Sequence, residues 1–437
     1  MITIFFQLVL LFILLGVIYI IYRSQPQELK QFFLPALVFK VAAGLALGYL
    51  YFYHYGFGDT IAYWKDGKII AEKVLSNPIA ALQFLWEDNP SPEDLAGLIN
   101  DKPRSLFFVK ITGLLALLSG GNYVLMSILI SCVSFMAAWY VFRKLIELLP
   151  AAKIEASVSF LYFPSIVFWS SGLIKESLGL ASLFFIGGFF LMFYGQRKAN
   201  AWEWLAVILF FWIGWNLKYY WMGIFIPVLM ATAIVMQLCR WRPDFRRMEL
   251  FLWAGLFSCL LLAASVLHPN FYPSRIMEVI WENNQEFMLI TKPGNAIHFN
   301  DLQPELARMA VNAPGALLAG IFRPFIWESQ HWLSALAAIE NSIVLLLVVF
   351  AVTTIRQWIT SPHRMLAMAV AVYSILMAIF LALSTPNLGT LSRYKIGFLP
   401  FLFFLILYRN PVFGWIARRL PLGHHPDPDN YRYRDKT

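Results

Sequence analysis

The chain of 437 residues is 59% hydrophobic and 17% aromatic, and only 14% of it is charged. Soluble proteins average roughly 25% charged residues. This composition and the mean hydropathy of +0.64 exclude a soluble globular domain and predict an all-α polytopic membrane protein. The net charge of +9 raises the question of nucleic acid, but the bases gather in linkers on one side of the predicted membrane. Anionic lipid headgroups are their expected partners, and nucleic acid is not.

About eleven apolar segments are predicted to be transmembrane helices. They cover 2–22, 33–53, 122–142, 154–170, 177–195, 202–216, 219–239, 248–267, 333–356, 364–384 and 395–409. The first run has no basic start and no cleavage site, so it is read as a retained helix. Two further stretches, 105–119 and 311–326, are shorter and are flanked or broken by charges, glycine or proline. We expect them to be interfacial helices.

The distribution of charge sets the orientation of these segments. If the two shorter stretches do not cross, the bases of linkers such as 143–153 and 240–247 share one side with the C-terminal tail. That side is predicted to be cytoplasmic. The insertions 54–121 and 268–332 are then extracytoplasmic. The sequence thus predicts one transmembrane domain over 1–422 and a polar, proline-bearing, disordered cytoplasmic tail over 423–437.

An acidic residue stands directly outside the second predicted span. Asp59 is the first acid after that span, in the motif Tyr-Gly-Phe-Gly-Asp-Thr-Ile-Ala-Tyr-Trp. One interpretation is a catalytic carboxylate at the outer surface, and the other is an acid that caps the helix following it. The charge distribution places the motif on the outer side, which favours the catalytic interpretation.

Two short outer loops carry charges next to apolar segments. Lys175 and Glu176 are adjacent between two predicted spans, where charged side chains need water or partners. We expect them to bind substrate, although an ordinary polar hairpin has the same composition. Lys218 lies in the next short loop and is a further candidate. The alternative for Lys218 is a snorkelling base within an aromatic belt.

Arginines mark the two later outer segments. Arg323 precedes Pro324 among aromatic residues, and its planar donors suit a phosphate. Pairing with Glu328 is the alternative. Arg393 and Tyr394 open the last predicted span and are candidates for holding a lipid phosphate or pyrophosphate. Anchoring at the membrane surface is the alternative for this pair.

Two charges, Lys40 and Glu340, fall inside predicted spans, about two turns from a span end. We expect Lys40 to snorkel and the span of Glu340 to begin later. The sequence has no P-loop, no Rossmann glycine fingerprint and no His pair with metal-ligand spacing. No cofactor is therefore expected, and a divalent metal has no support.

Four motifs carry a family resemblance. They are Gly58–Tyr63 with its acid; Lys102–Phe108 followed by Gly120–Asn122; Pro164–Glu176; and Arg393-Tyr394 ahead of Pro400. In this order and placement they resemble the GT-C superfamily of polyprenyl-phosphate-sugar glycosyltransferases. That superfamily includes protein mannosyltransferase-like and lipid A aminoarabinose transferase-like enzymes. The similarity covers about 1–200 and 385–409 of the chain.

The resemblance implies a GT-C-like fold and an inverting sugar transfer on the extracytoplasmic face of the bacterial cytoplasmic membrane. Asp59 would be the general base, the donor a polyprenyl-phosphate-linked sugar, and the acceptor a lipid, glycan or protein. Lys175, Arg323 and Arg393 would hold the leaving phosphate. Two departures stand out. An additional span precedes the acid motif, and Thr60 stands where the family often has a second acid, so a metal-dependent mechanism is not implied.

Two other functions remain open from the residues. An O-antigen or exopolysaccharide polymerase also has about a dozen spans and arginine-rich outer loops, and there Arg323 and Arg393 would lead. A transporter or flippase for a lipid-linked sugar would instead depend on Lys40 and Glu340. Such carriers often show symmetry between their halves, which this sequence does not display.

Overall fold

The computed structural model describes residues 2–87, 90–267, 271–417 and 419. Over these residues the regular structure is helical, apart from an isolated β-bridge between Ala296 and Asn387. The predicted all-α class is therefore confirmed. The tail predicted to be disordered, 423–437, lies outside the described residues.

Twenty α-helices make up the described chain, joined by short 3-10 and π segments. The first ten are α1 (Ile2–Arg23), α2 (Gln27–Tyr49), α3 (Asp59–Ser76), α4 (Pro78–Trp86), α5 (Pro92–Leu95), α6 (Pro103–Ser119), α7 (Tyr123–Leu148), α8 (Lys153–Ser157), α9 (Pro164–Trp169) and α10 (Lys175–Tyr194). The others are α11 (Ala201–Trp241), α12 (Glu249–Leu267), α13 (Pro273–Ile290), α14 (Leu306–Phe322), α15 (Trp332–Ala351), α16 (Ile355–Ile359), α17 (Arg364–Ser384), α18 (Leu388–Tyr394), α19 (Leu399–Leu407) and α20 (Pro411–Ala417).

Eight helices of the described chain are long and apolar enough to cross a membrane, which makes this an integral membrane protein. They are α1, α2 with its π extension, α7, α10, α11, α12, α15 with its extension through α16, and α17. The helices α18 and α19 meet at a bend of 71° and make a ninth span if they count as one. The predicted number of about eleven stays a prediction.

With α18 and α19 counted as one span, the described chain has nine candidates, and the difference of two from the predicted number arises at two places. The predicted span 154–170 is broken into α8, a π turn and α9, because Phe163 is extended ahead of Pro164 and a proline disfavours helical geometry in the residue before it. The predicted spans 202–216 and 219–239 are the two parts of α11, which count as one candidate span although the helix is kinked between them. Its backbone leaves helical geometry at Lys218, with φ −143° and ψ 59°, where the sequence predicts a loop.

The chain groups into two compact units. Unit 1 contains 1–143 and 160–222, and unit 2 contains 144–159 and 223–437. That 1–422 forms one transmembrane domain stays a prediction.

Unit 1 is built around the packing of α3 on α6. Glycines make this approach close: a Cβ at Gly67 would lie 2.9 Å from the carbonyl oxygen of Thr112, and one at Gly113 would lie 2.5 Å from Ile70. Small residues at a helix contact let backbones approach and increase packing. Tyr63 and Phe108 join the buried core between the two helices, with ring centroids 4.7 Å apart. The predicted helix at 105–119 therefore exists, and its position at the membrane surface stays a prediction.

Unit 2 is organised around α17, which packs against α13, α14 and α19. Gly320 of α14 lies directly against the backbone of Ala378, where a Cβ would overlap the carbonyl. The side-chain amide of Asn284 donates to the carbonyl of Leu383 at 2.6 Å and ties α13 to the end of α17. The predicted stretch 311–326 largely coincides with α14.

Candidate functional site in unit 1

Asp59 is the first residue of α3, and the backbone before it is set by two glycines. Gly56 has φ 72° and closes the π segment that extends α2, and Gly58 has φ 126°. Both conformations favour glycine, and a Cβ at Gly58 would also overlap the ring of Tyr51. The Asp59 side chain is half-buried. Its carboxylate stands at a helix N-terminus, where the macrodipole favours negative charge.

The first turns of α3 are tied to the start of α7. The hydroxyls of Thr60 and Tyr123 lie 2.9 Å apart, and Thr60 is fully buried. The indole N–H of Trp64 donates to the carbonyl of Gly121 at 2.9 Å. Thr60 therefore has a structural hydrogen bond at the position where the resembled family often has a second acid.

Asp66 lies two turns beyond Asp59 and is completely buried. Its carboxylate accepts hydrogen bonds from the backbone N–H groups of Ile99 and Asn100 at 2.9 and 3.0 Å. The side-chain amide of Asn100 donates to it as well, at 2.8 Å. Asp66 thus holds the segment before α6 in place. The sequence marks it only as one more acid in the first insertion, because its donors lie more than 30 positions away.

Lys175 begins α10 and reaches the same helix α3. Its ammonium donates to the hydroxyl of Ser105 at 3.1 Å and lies 5.7 Å from the ring centroid of Tyr63. Tyr63 follows Asp59 by four residues, so the two share one face of α3. Unit 1 therefore brings a half-buried cation to the helix face that carries the candidate base.

Glu176 and Lys218, both predicted to bind substrate, pair with each other. The Lys218 ammonium lies 2.7 Å from the Glu176 carboxylate, and the side chains are 4% and 0% exposed. Gly179 makes room for the lysine stem, since a Cβ there would lie 3.1 Å from its Cγ. The pair joins the start of α10 to the break in α11. The snorkelling alternative for Lys218 is wrong, because its head group is inside the protein.

Lys40 does not snorkel either, contrary to the expectation from sequence. It is 4% exposed, and its ammonium donates to the hydroxyl of Ser170 at 2.5 Å. Ser134 donates to the Ser170 carbonyl at 2.8 Å, and the N–H of Gly172 donates to Ser131 at 2.9 Å. These two serines of α7 thus fix the turn that precedes Lys175 and Glu176.

The remaining predicted residues lie in unit 2. The Arg323 guanidinium donates to both carboxylate oxygens of Glu328, as the alternative from sequence predicts. Arg393 and Tyr394 are half-buried in α18, with the guanidinium carbon 5.6 Å from the tyrosine ring centroid.

Lys395, which the sequence groups with Arg393 as a second base ahead of the last span, is buried in unit 2. It is 2% exposed, and it donates to the side chain of Asn341 at 2.5 Å and to the Arg323 carbonyl at 3.4 Å. The charge of Glu340, next to Asn341, also acts on it. The sequence does not show that Lys395 is buried, because its partner Asn341 lies 54 positions away on α15.

Unit 1 therefore contains four of the seven predicted residues, Asp59, Lys175, Glu176 and Lys218, and unit 2 contains Arg323, Arg393 and Tyr394. Convergence of the two sets on one cavity stays a prediction. Across the described residues, no three His, Cys, Asp or Glu side chains are grouped as metal ligands.

No protein-family model, curated protein or solved structure matches the chain.

Proposed function

We propose that the protein is a membrane-embedded glycosyltransferase. It moves a sugar from a polyprenyl-phosphate donor to a lipid, glycan or protein acceptor on the extracytoplasmic face of the bacterial cytoplasmic membrane. The observation that carries this proposal is the face of α3 that bears Asp59. A half-buried carboxylate begins the helix, and Lys175 lies against the ring of Tyr63 one turn further on. A base and a cation on one apolar wall are what transfer from a lipid phosphate requires.

In the proposed reaction, Asp59 accepts the proton of the acceptor hydroxyl while that oxygen forms a bond to the anomeric carbon of the sugar. The bond from this carbon to the phosphate oxygen breaks, and its electron pair leaves with the polyprenyl phosphate. Attack opposite the leaving group inverts the anomeric configuration. Lys175 stabilises the charge of the leaving phosphate. General base catalysis contributes about 10²–10⁴-fold to the rate.

The other residues have different parts in this proposal. Glu176 and Lys218 fix the start of α10, and so the position of Lys175, without touching substrate. Arg393 and Tyr394 remain candidates for the lipid phosphate. Arg323 is already engaged by Glu328, so binding a phosphate through its guanidinium requires that this pair opens. The pairing favours the transferase over the polymerase, in which Arg323 would lead.

The test is sugar transfer by the purified protein in lipid nanodiscs. Undecaprenyl-phosphate carrying radiolabelled glucose, mannose or aminoarabinose serves as the donor, with a membrane extract as the source of acceptors. We expect release of polyprenyl phosphate from one of these donors and its loss in Asp59→Asn. Glu72→Gln is the matched control, because Glu72 is exposed on the same helix. Near-normal transfer by Asp59→Asn contradicts the assignment of the base.

A transporter for lipid-linked sugars is the second candidate, and the buried Lys40 is the observation that favours it. Ionisable residues inside membrane spans commonly mark a substrate or ion path. Under this alternative, Lys40→Ala abolishes movement of a fluorescent polyprenyl-phosphate-sugar across proteoliposomes, and Asp59→Asn leaves it unchanged. Transfer that survives Lys40→Ala but not Asp59→Asn decides for the transferase.

A further inference from the structure

Unit 1 contains an apolar groove of about 430 Å³ beneath α1. Its walls come from α1, α6, α7, α10 and α11, and they are almost entirely carbon. Residues that set its shape are Leu14, Ile18, Leu118, Val133, Ala137 and Phe185. The groove is open on one side and lies along spans that cross the membrane.

The helix α1 is attached to the rest of unit 1 near its two ends. Near its start, the side-chain amide of Gln7 donates to the carbonyl of Ser119 at 2.9 Å. Just past its end, the side-chain oxygen of Gln25 accepts from the indole of Trp139 at 3.1 Å and from Arg143 at 3.4 Å. The rise from Gln7 to Arg23, the last residue of α1, is about 24 Å, most of the thickness of the hydrocarbon layer. Between these attachments the side chains of α1 are not buried, and those from Leu14 to Ile21 form one wall of the groove.

The groove lies in the half of α1 that ends in cations. Its α1 wall runs from Leu14 to Ile21, and Arg23 follows two residues later. Its α7 wall reaches Tyr140, and Arg143 follows one turn later. The N–H of Gly172, just ahead of α10, donates to Ser131 of α7, and Phe185 of α10 stacks on Tyr140 further along α7. The two helices therefore run in the same direction, and Arg197 and Lys198, after the end of α10, belong to the same side.

These features define the ligand. Carbon walls of this size do not hold water, and an empty groove forfeits dispersion contacts, so hydrocarbon is the occupant that fits. Cations within one turn of the groove select a negatively charged headgroup. Asp59 and Lys175 are not among the residues that line the groove, so this ligand is separate from the sugar donor at the proposed catalytic face.

We propose that this groove binds an acyl chain of an anionic phospholipid from the leaflet next to Arg23, with its phosphate against Arg23 and Arg143. The lipid fills the space between α1 and α7 and completes the packing of α1 on unit 1. The proposal does not depend on the proposed function, because none of the residues that line the groove belongs to the proposed catalytic site.

The test is native mass spectrometry of the full chain after purification in mild detergent and incubation with phosphatidylglycerol and phosphatidylethanolamine. We expect one retained phosphatidylglycerol per chain. Val133→Trp places an indole in the groove and reduces its occupancy at least about tenfold. Ile208→Trp adds the same group on an exposed part of α11 and leaves occupancy unchanged. Arg23→Gln reduces the preference for the anionic lipid about fivefold.

Three results overturn the proposal. They are equal retention in Val133→Trp and the wild type, retention of detergent alone, and equal affinity of the wild type for the two lipids. The lipid preference of the wild type depends on no substitution, so it decides the question even if Val133→Trp does not fold. Ala137→Leu, a smaller change in the same wall, provides a second variant for occupancy.

Discussion

Two carboxylates on α3 differ in their surroundings although only seven residues separate them. Asp66 is completely buried and accepts three hydrogen bonds from Ile99 and Asn100. Asp59 is half-buried at the start of the helix, behind two glycines with positive φ. The same residue type therefore stands in two different environments. A carboxylate that accepts three hydrogen bonds in the interior holds the fold, and a partly exposed one at a helix N-terminus has the position that the proposed proton transfer requires.

Glu176 in α10 adds a third case to this comparison, because its side chain is as completely buried as that of Asp66 but is paired with a lysine. We expect Lys218→Met to lower the free energy of unfolding by about 3–5 kcal/mol, since it leaves the buried Glu176 charge without its lysine. The measurement is thermal unfolding of the protein in detergent, with Lys198→Met as the exposed control. The double variant Lys218→Met, Glu176→Leu should recover part of the loss. An unchanged midpoint in Lys218→Met would show that the pair contributes little.

Asp66→Asn tests the structural member of the pair on α3. The amide has one acceptor oxygen where the carboxylate has two, so hydrogen bonds from Ile99 or Asn100 are lost. Hydrogen bonds to charged groups contribute about 1.5–3 kcal/mol each, and we expect a loss of about 3 kcal/mol. Limited proteolysis at the segment before α6 should also become faster. Transfer per folded molecule should stay close to wild type, and a selective loss of transfer would remove the distinction drawn between Asp59 and Asp66.

Gly58→Ala tests how Asp59 is placed. The φ of 126° is unfavourable for alanine and its Cβ meets Tyr51, so we expect a cost of about 1–3 kcal/mol. Since the strain acts next to Asp59, kcat should fall more than KM rises. Gly56→Ala is the matched variant, because it also has a positive φ but open space around its Cβ. Equal kinetic effects of the two variants would show that contact with Tyr51 does not position Asp59.

Long apolar runs and proline signals in the sequence predict much of the fold. The run 2–22 becomes α1 and 364–384 becomes α17, because some 20 apolar residues have few other stable structures in a membrane. The helix from Asp59 and the glycine break after 105–119 also follow from local signals. The break at Pro164 was available in the sequence, but the apolar residues on both sides favoured one continuous span.

Partners in the interior could not be predicted, because they depend on contacts between distant residues. Glu176 and Lys218 are 42 positions apart, and Lys40 and Ser170 are 130 apart. From sequence, Glu176 was expected to need water or a partner, whereas Lys40 was expected to snorkel. Only the fold shows that two predicted substrate ligands satisfy each other and that Lys40 is bound by a serine. Asp59 and Lys175 were selected as candidate site residues because they stand next to predicted spans. In the structure each is the first residue of a helix, as that position implies.

The most direct test measures Asp59→Asn and Asp66→Asn side by side, in the same nanodiscs and with the same radiolabelled undecaprenyl-phosphate sugar. We predict that Asp59→Asn lowers the rate of transfer about 10²–10⁴-fold. Its unfolding midpoint should fall only slightly, since the interaction of the carboxylate with the helix macrodipole contributes about 0.3–1 kcal/mol. Asp66→Asn should do the reverse, with a lower midpoint and a near-normal rate per folded molecule. Transfer at the wild-type rate by folded Asp59→Asn would contradict the account.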